Sequence, residues 1–385
     1  MPFKLRLKKS RQYNVVSKSL FVICVELLDG TSIECTLSAE SSGRECLDNV
    51  CQRLGLQQPE FFGLRYLSRN AQQPVPRWVE MDHPLKRQLD KYARDQNLFL
   101  RVMYYVAGVN LLHDEMTRYH YFLQLKKDVI DGTMGCDAKQ AVLLASYSMQ
   151  AEFGNHDLER HTAEYLKDFA LFPKHLTSGG NLESLTEAVI LQHAALAGLS
   201  QGTAEEYYIL AAQKLDGYGQ ETFEAKDETG ADVVIAVSLM GIVVFYENNQ
   251  TSKFYRWKDI TNVVNHKRNF GIECQVPDET VHFQFTDPES AKYVWRMCVH
   301  QHTFYMQHEQ ATESMLSVQL EDHTPLTVFH SALEDGHLTE SCEELDNRDT
   351  GGGPVAWSMP SCAVQRAQST SCLDLTAPTD IDKLR

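Results

Sequence analysis

Residues 286–305 read TDPESAKYVWRMCVHQHTFY. Asp287-Pro288 opens a helix, because proline at the first helical position lacks only an N–H that would go unbonded there. Ala291, Val294, Trp295, Cys298, His302 and Tyr305 then recur at steps of three and four, which makes one apolar face. Upstream lie seven strand-like runs at 221–226, 233–238, 242–246, 253–257, 260–266, 270–276 and 281–285. Turn residues separate them at intervals of about ten, the spacing of a sandwich or small barrel. One helix after such a set is placed to close an open end of it, with Trp295 as the seal.

Before these strands the signal is helical. Phe122, Leu125 and Val129 are spaced for one helix face, and Gly132 closes it. Asp137 with Gln140 forms a capping box ahead of AVLLASYSMQAEFG, and Thr203 with Glu206 forms another ahead of YYILAAQKL. Short helices are expected at 162–169 and 182–197. Helices without intervening strands indicate an all-α lobe. Earlier still, Leu20 to Leu28 and the alternating Ile33, Cys35 and Leu37 read as a hairpin, with Asp29-Gly30 as a two-residue turn. A helix carrying Leu47, Val50, Cys51 and Leu54 stops near Gly55. Strands at 61–67 and 77–80, a helical turn at 85–92 and a strand at 98–106 follow. The order β-β-α-β-β-α-β is that of a ubiquitin-like roll. After residue 307 the periodicity fails, and 308–385 reads as an acidic, Ser/Thr-rich disordered tail.

A length of 385 residues suits several domains rather than one core, and 43% hydrophobic with 23% charged residues is ordinary for a globular chain. No apolar run long enough for a membrane span or a signal core is visible, which disfavours secretion and insertion. Ten cysteines without a Cys-x-x-Cys pair suit reduced thiols. The net charge is −16, of which −10 falls in 308–385. A nucleic-acid binder needs a broad basic excess, so nucleic acid is excluded as a partner. The leader 1–18 holds Lys4, Arg6, Lys8, Lys9, Arg11 and Lys18 without an acid, a local charge suited to anionic lipid.

Neither a dinucleotide nor a P-loop glycine pattern occurs, and no cofactor is expected. His113, His120, His156, His161, His300 and His302 lack a second ligand at metal-binding spacing, so they read as surface or packed side chains and no metal is expected.

The lobe order resembles a FERM domain, and the wording agrees with it. WVEMDHPLKRQLDKYA before LFLRVMYYV is similar to the end of a FERM first lobe. TRYHYFLQLKKDVIDG and LLASYSMQAEFGNHD resemble the second, and LDGYGQETFEAKD, MGIVVF and YRWKDI the third. The opening MPFKLRLKKSRQYNVVSKSLF, LKRQLDKYA and AKYVWRMCVHQHTFY are most similar to FERM-bearing non-receptor tyrosine phosphatases of the Pez type. The resemblance implies an α+β multi-lobe clover. Its parts are a ubiquitin-like roll (19–107), an acyl-CoA-binding-protein-like helical lobe (108–216) and a PH/PTB-like β-sandwich with a C-terminal helix (217–307).

The resemblance also implies a cytoplasmic, non-catalytic adaptor at the cell cortex, cytoskeleton and junctions, peripheral to the membrane. Its partners would be membrane-protein tails or adaptor peptides, anionic phospholipid and cytoskeletal proteins. The alternative is the targeting module of a tyrosine phosphatase whose catalytic domain lies beyond this chain. The phosphatase signature His-Cys-x5-Arg is absent from the sequence. Of the cysteines Cys136 remains, just before a helix whose N-terminus could lower its pKa, but no Arg lies at the spacing needed to clamp phosphate. In FERM proteins a basic cleft takes phosphoinositide headgroups, and here Lys267 and Arg268 match one side of it and Lys86 and Arg87 the other. A groove between the fifth strand of the third lobe and the last helix takes extended peptides, and here Ile260, Asn262, Val264, Val294 and Met297 would line it. The plain alternative is an edge already covered in this chain.

Overall fold

The computed structural model describes residues 20–69, 74–177, 181–246, 251–321 and 371–374. The basic leader falls outside them. The chain divides into one unit built on Met1–Met103 and a second built on Tyr104–Met359 together with Ala367–Arg385.

In the first unit, β1 (Leu20–Glu26) and β2 (Ser32–Ser38) precede α1 (Gly43–Leu54). Then come β3 (Phe62–Leu67), β4 (Pro76–Trp78), α2 (Leu85–Tyr92) and β5 (Leu98–Val102). The sheet order is β2-β1-β5-β3-β4, with β1 and β5 parallel. This is the expected roll. Alternation puts Phe21, Ile23 and Val25 on one buried face, and Leu47, Val50, Leu85 and Leu89 of the two helices are buried with them. The hairpin turn differs from the two-residue form. Leu27 N–H donates to Thr31 O at 2.8 Å, which leaves a three-residue loop with Gly30 alone at positive φ, +82°. Asp29 is held elsewhere: its carboxylate accepts from the Thr31 amide at 2.9 Å and from the Thr31 hydroxyl at 2.7 Å.

The second unit begins with helices. These are α3 (Glu115–Ile130), α4 (Ala138–Phe153), α5 (Ala163–Leu166), α6 (Lys174–Thr177), α7 (Leu182–Ala195) and α8 (Gln201–Ala212). The Asp137–Gln140 capping box forms in both directions, at 2.8 and 3.0 Å. The second expected box does not form. Helix α8 starts earlier, because Ser200 is the N-cap and its hydroxyl accepts from the Thr203 amide at 3.1 Å.

Seven consecutive strands follow: β6 (Glu221–Lys226), β7 (Asp232–Ser238), β8 (Gly241–Tyr246), β9 (Thr251–Arg256), β10 (Ile260–His266), β11 (Asn269–Cys274) and β12 (Val281–Gln284). Helix α9 (Pro288–Glu321) and a late strand β13 (Ser371–Asp374) complete the unit, in the sheet order β13-β10-β11-β12-β6-β7-β8-β9. Trp257 and Trp295 are each 1% exposed, and both indole N–H groups are bonded, Trp257 to Leu239 O at 2.8 Å and Trp295 to Val263 O at 3.0 Å. Buried indoles need such partners.

Helix α9 runs past residue 307, where disorder was expected. Residues 308–321, HEQATESMLSVQLE, contain no Gly or Pro and are rich in helix formers, so nothing within them stops the helix. Apart from β13, the rest of the expected tail lies outside the described residues.

Candidate functional site

The expected groove centres on β10 and α9, and the structure corrects its lining. Pairing of β10 with β11 slips between Ile260 and Asn262. A bulge of this kind changes which side chains face inward. Ile260 therefore shares the interior with Val263, and both pack in the core cluster with Trp257, Trp295 and Val294. Ile260 and Val294 thus support the groove from behind and do not line it. Asn262 and Val264 are half-buried, and Met297 on α9 is 3% exposed. Asn262 is anchored sideways, its Nδ2 donating to Glu273 Oε2 at 2.9 Å.

The free edge of β10 carries a strand from the chain's own end. Ser371–Asp374 pairs antiparallel with it in the register Asn265↔Ser371, Val264↔Cys372, Val263↔Leu373 and Asn262↔Asp374. The edge is covered in this chain. Strand β13 was not foreseen: four residues, SCLD, give too short a run to stand out among Ser, Thr and Asp.

At the far end of β10, Lys267 and Arg268 form the turn into β11, closed by the pair His266↔Asn269. Both are exposed and neither pairs with a carboxylate among the described residues. Lys267 is the one non-glycine residue at positive φ among the described residues, at 54°. A lysine there gives up backbone energy to hold its place. In the first unit, Lys86 Nζ lies 2.8 Å from Asp90 Oδ2, and Arg87 Nη2 lies 2.9 Å from Glu40 Oε2. These two cations already hold acids, Lys86 in a half-buried pair and Arg87 in an exposed one worth about 0–1 kcal/mol.

Burial, with Asp137 beside it, pushes the Cys136 thiol up to about 11, against the lowering expected from the helix start. Burial also raises Cys51 to about 12 and raises Cys274 and Cys298. These thiols stay protonated near neutral pH, whereas the Cys35 thiol, hydrogen-bonded by Cys46, is lowered.

A grouping that sequence spacing does not reveal lies in the helical part. His156, His161 and His193 come together, with one ring nitrogen from each within 4.8 Å of the others. His193 sits on α7, 32 residues beyond His161 in its turn, so no local pattern joins them.

The sequence matches the FERM N-terminal domain over residues 25–91, the FERM central domain over 108–223 and the FERM C-terminal PH-like domain over 227–313. It is 43% identical over 314 residues to tyrosine-protein phosphatase non-receptor type 14 of Mus musculus, an alignment covering 81% of this chain and 26% of that one. It is 42% identical over 306 residues to the non-receptor type 21 enzyme of Rattus norvegicus, covering 79% of this chain and 26% of that one. Band 4.1-like protein 2 of Homo sapiens is 31% identical over 309 residues, covering 78% and 29%. The chain thus spans about a quarter of the length of these two phosphatases. Among solved structures, the FERM and C-terminal domain complex of Drosophila Merlin superposes with a TM-score of 0.67 at 22% identity, covering 76% of this chain and 99% of that one.

Proposed function

This chain belongs to the FERM family, and from that membership we propose that it is a non-catalytic adaptor joining membrane-proximal proteins to the cortical cytoskeleton and junctions. The observation that carries this reading is the pairing of Ser371–Asp374 along β10. An edge that accepts one extended segment accepts others of the same shape. Backbone bonds supply affinity, and the half-buried Asn262 and Val264, with Met297 on α9, supply selectivity. The partners are cytoplasmic tails or adaptor peptides in extended form. The unpaired Lys267 and Arg268 add attraction to anionic phospholipid, holding the adaptor peripheral to the membrane. Lys86 and Arg87 contribute less, because Asp90 and Glu40 offset their charge. Among the described residues no helix is long and apolar enough to cross a membrane. With the Cys136 thiol raised and no His-Cys-x5-Arg sequence to form a phosphate-binding loop, the chain releases no phosphate from phosphotyrosine peptides.

The test is a labelled peptide of residues 369–376 titrated into the intact chain and into a variant lacking Ser371–Asp374. Tighter binding to the deleted form is expected. Equal binding to both, or binding to neither, would overturn the edge as a docking strand.

The 43% identity to a phosphatase supports a second reading of the same surfaces, in which they position a catalytic domain encoded beyond this chain. Coding sequence past Arg385 that contains His-Cys-x5-Arg would favour it, and its absence would leave the adaptor alone.

A further inference from the structure

Gly154, at φ +74°, ends α4 and turns the chain into the loop that carries His156. A turn from Asp157 then brings in His161, and α7, packed against α4, supplies His193. The three imidazole centroids are 5.3 to 5.6 Å apart. His193 is 0% exposed and His161 is 6% exposed.

The hydrogen bonds fix where the lone pairs are. His193 Nε2 lies 2.8 Å from Gly154 O. A carbonyl only accepts, so Nε2 carries the proton and Nδ1 keeps its lone pair. That Nδ1 is buried and has no hydrogen-bond partner, and neither has the buried Nδ1 of His156. Two unpartnered ring nitrogens beside each other in a folded interior are uncommon and need a reason. A ring nitrogen left bare while its opposite N–H is held by a backbone carbonyl is the arrangement that orients histidine toward a metal.

We propose that His156, His161 and His193 bind one divalent cation of the kind that prefers imidazole nitrogen, zinc foremost. Three neutral histidines leave a fourth tetrahedral position for water. Nitrogens around zinc with bonds of 2.0–2.1 Å lie about 3.3 Å apart, so the rings close inward on binding. His161 moves most. Its Nδ1 accepts from the Asp157 amide at 3.0 Å, which puts its proton on Nε2. To ligate through Nε2 the ring shifts that proton to Nδ1 and releases the Asp157 amide. The Asp157 carboxylate is turned to its own loop, accepting from the Glu159 amide at 2.9 Å.

The intact chain, reduced and stripped of metal, is titrated with Zn²⁺ against a chelating dye and separately with Co²⁺ for its visible spectrum. One equivalent should bind, with tetrahedral cobalt bands and no thiolate charge-transfer absorption. Binding should weaken at least tenfold in His156→Ala, a half-buried loop position, and in His193→Ala. Far-UV circular dichroism establishes that each variant is folded, and His156→Ala alone decides the matter if His193→Ala is not. In amide exchange, zinc should speed the Asp157 amide in the wild type and leave it unchanged in His156→Ala. The proposal is overturned by failure to bind zinc, by undiminished affinity in folded His156→Ala, or by a thiolate band assigning the ion to cysteine.

Discussion

Trp295 on α9 donates its indole N–H to the backbone carbonyl of Val263 on β10 at 3.0 Å. This one bond ties the closing helix of the sandwich to the strand whose outer edge carries β13. The ring is 1% exposed, so water cannot replace the donor.

Trp295→Phe should therefore cost about 1–3 kcal/mol, the penalty for stripping a partner from a buried polar group, beyond any loss of packing. Urea unfolding should show a lower midpoint with an unchanged slope. The same variant should bind the 369–376 peptide more weakly when Ser371–Asp374 is deleted, because β10 loses its support. A midpoint equal to wild type would show that the bond contributes nothing.

The pairing of β13 makes a prediction at single amides. Alternate β10 amides face β11 and β13, so deleting Ser371–Asp374 should speed hydrogen exchange at one set and spare the other. Uniform protection before and after deletion would mean that β13 leaves the edge in solution.

The architecture was readable because each lobe advertises a different period. Phe21, Ile23 and Val25 alternate, Phe122, Leu125 and Val129 step by helix turns, and Pro288 marks the last helix. The groove was readable only in outline. Strict alternation assigns Ile260, Asn262 and Val264 to one face, but the bulge after Ile260 is invisible in sequence and sends Ile260 inward. Val294 was misassigned for a related reason: a helix face can be predicted apolar, but whether it meets the core or a groove depends on the strand opposite. Cys136 shows burial overriding a local helix-end effect. The histidine cluster depends on α4 meeting α7, a tertiary fact with no local signature.

The turn Lys267-Arg268 separates stability from binding. A lysine at φ 54° is strained by roughly 1–2 kcal/mol relative to glycine, so Lys267→Gly should raise the urea midpoint. It should also weaken binding to phosphoinositide-containing vesicles, since each cation near the leaflet is worth about 1 kcal/mol. Neutralising both Lys267 and Arg268 should lower vesicle affinity about 30-fold in low salt and less in high salt. Changing Lys126 and Lys127, which hold Glu152 and Asp131, should do far less. Equal effects from the two pairs would reduce the lipid reading to diffuse attraction.

The last prediction concerns acid. His302 on α9 is 7% exposed, with its ring 5.7 Å from that of Trp257. Burial alone lowers its pKa below the usual 6.5. The unfolded chain therefore takes up a proton near pH 6.5 while the folded chain does not. Between the folded pKa and 6.5 the unfolded state binds more protons, so stability rises with pH and is lost on acidification through that window. The slope from one such group is at most about 1.4 kcal/mol per pH unit. His302→Phe keeps a ring against Trp257 and removes the titration, so its stability measured by urea at pH 7, 6 and 5 should fall less steeply than that of wild type. Parallel curves for the two proteins would mean that His302 titrates alike in both states, and that its burial does not hold it neutral.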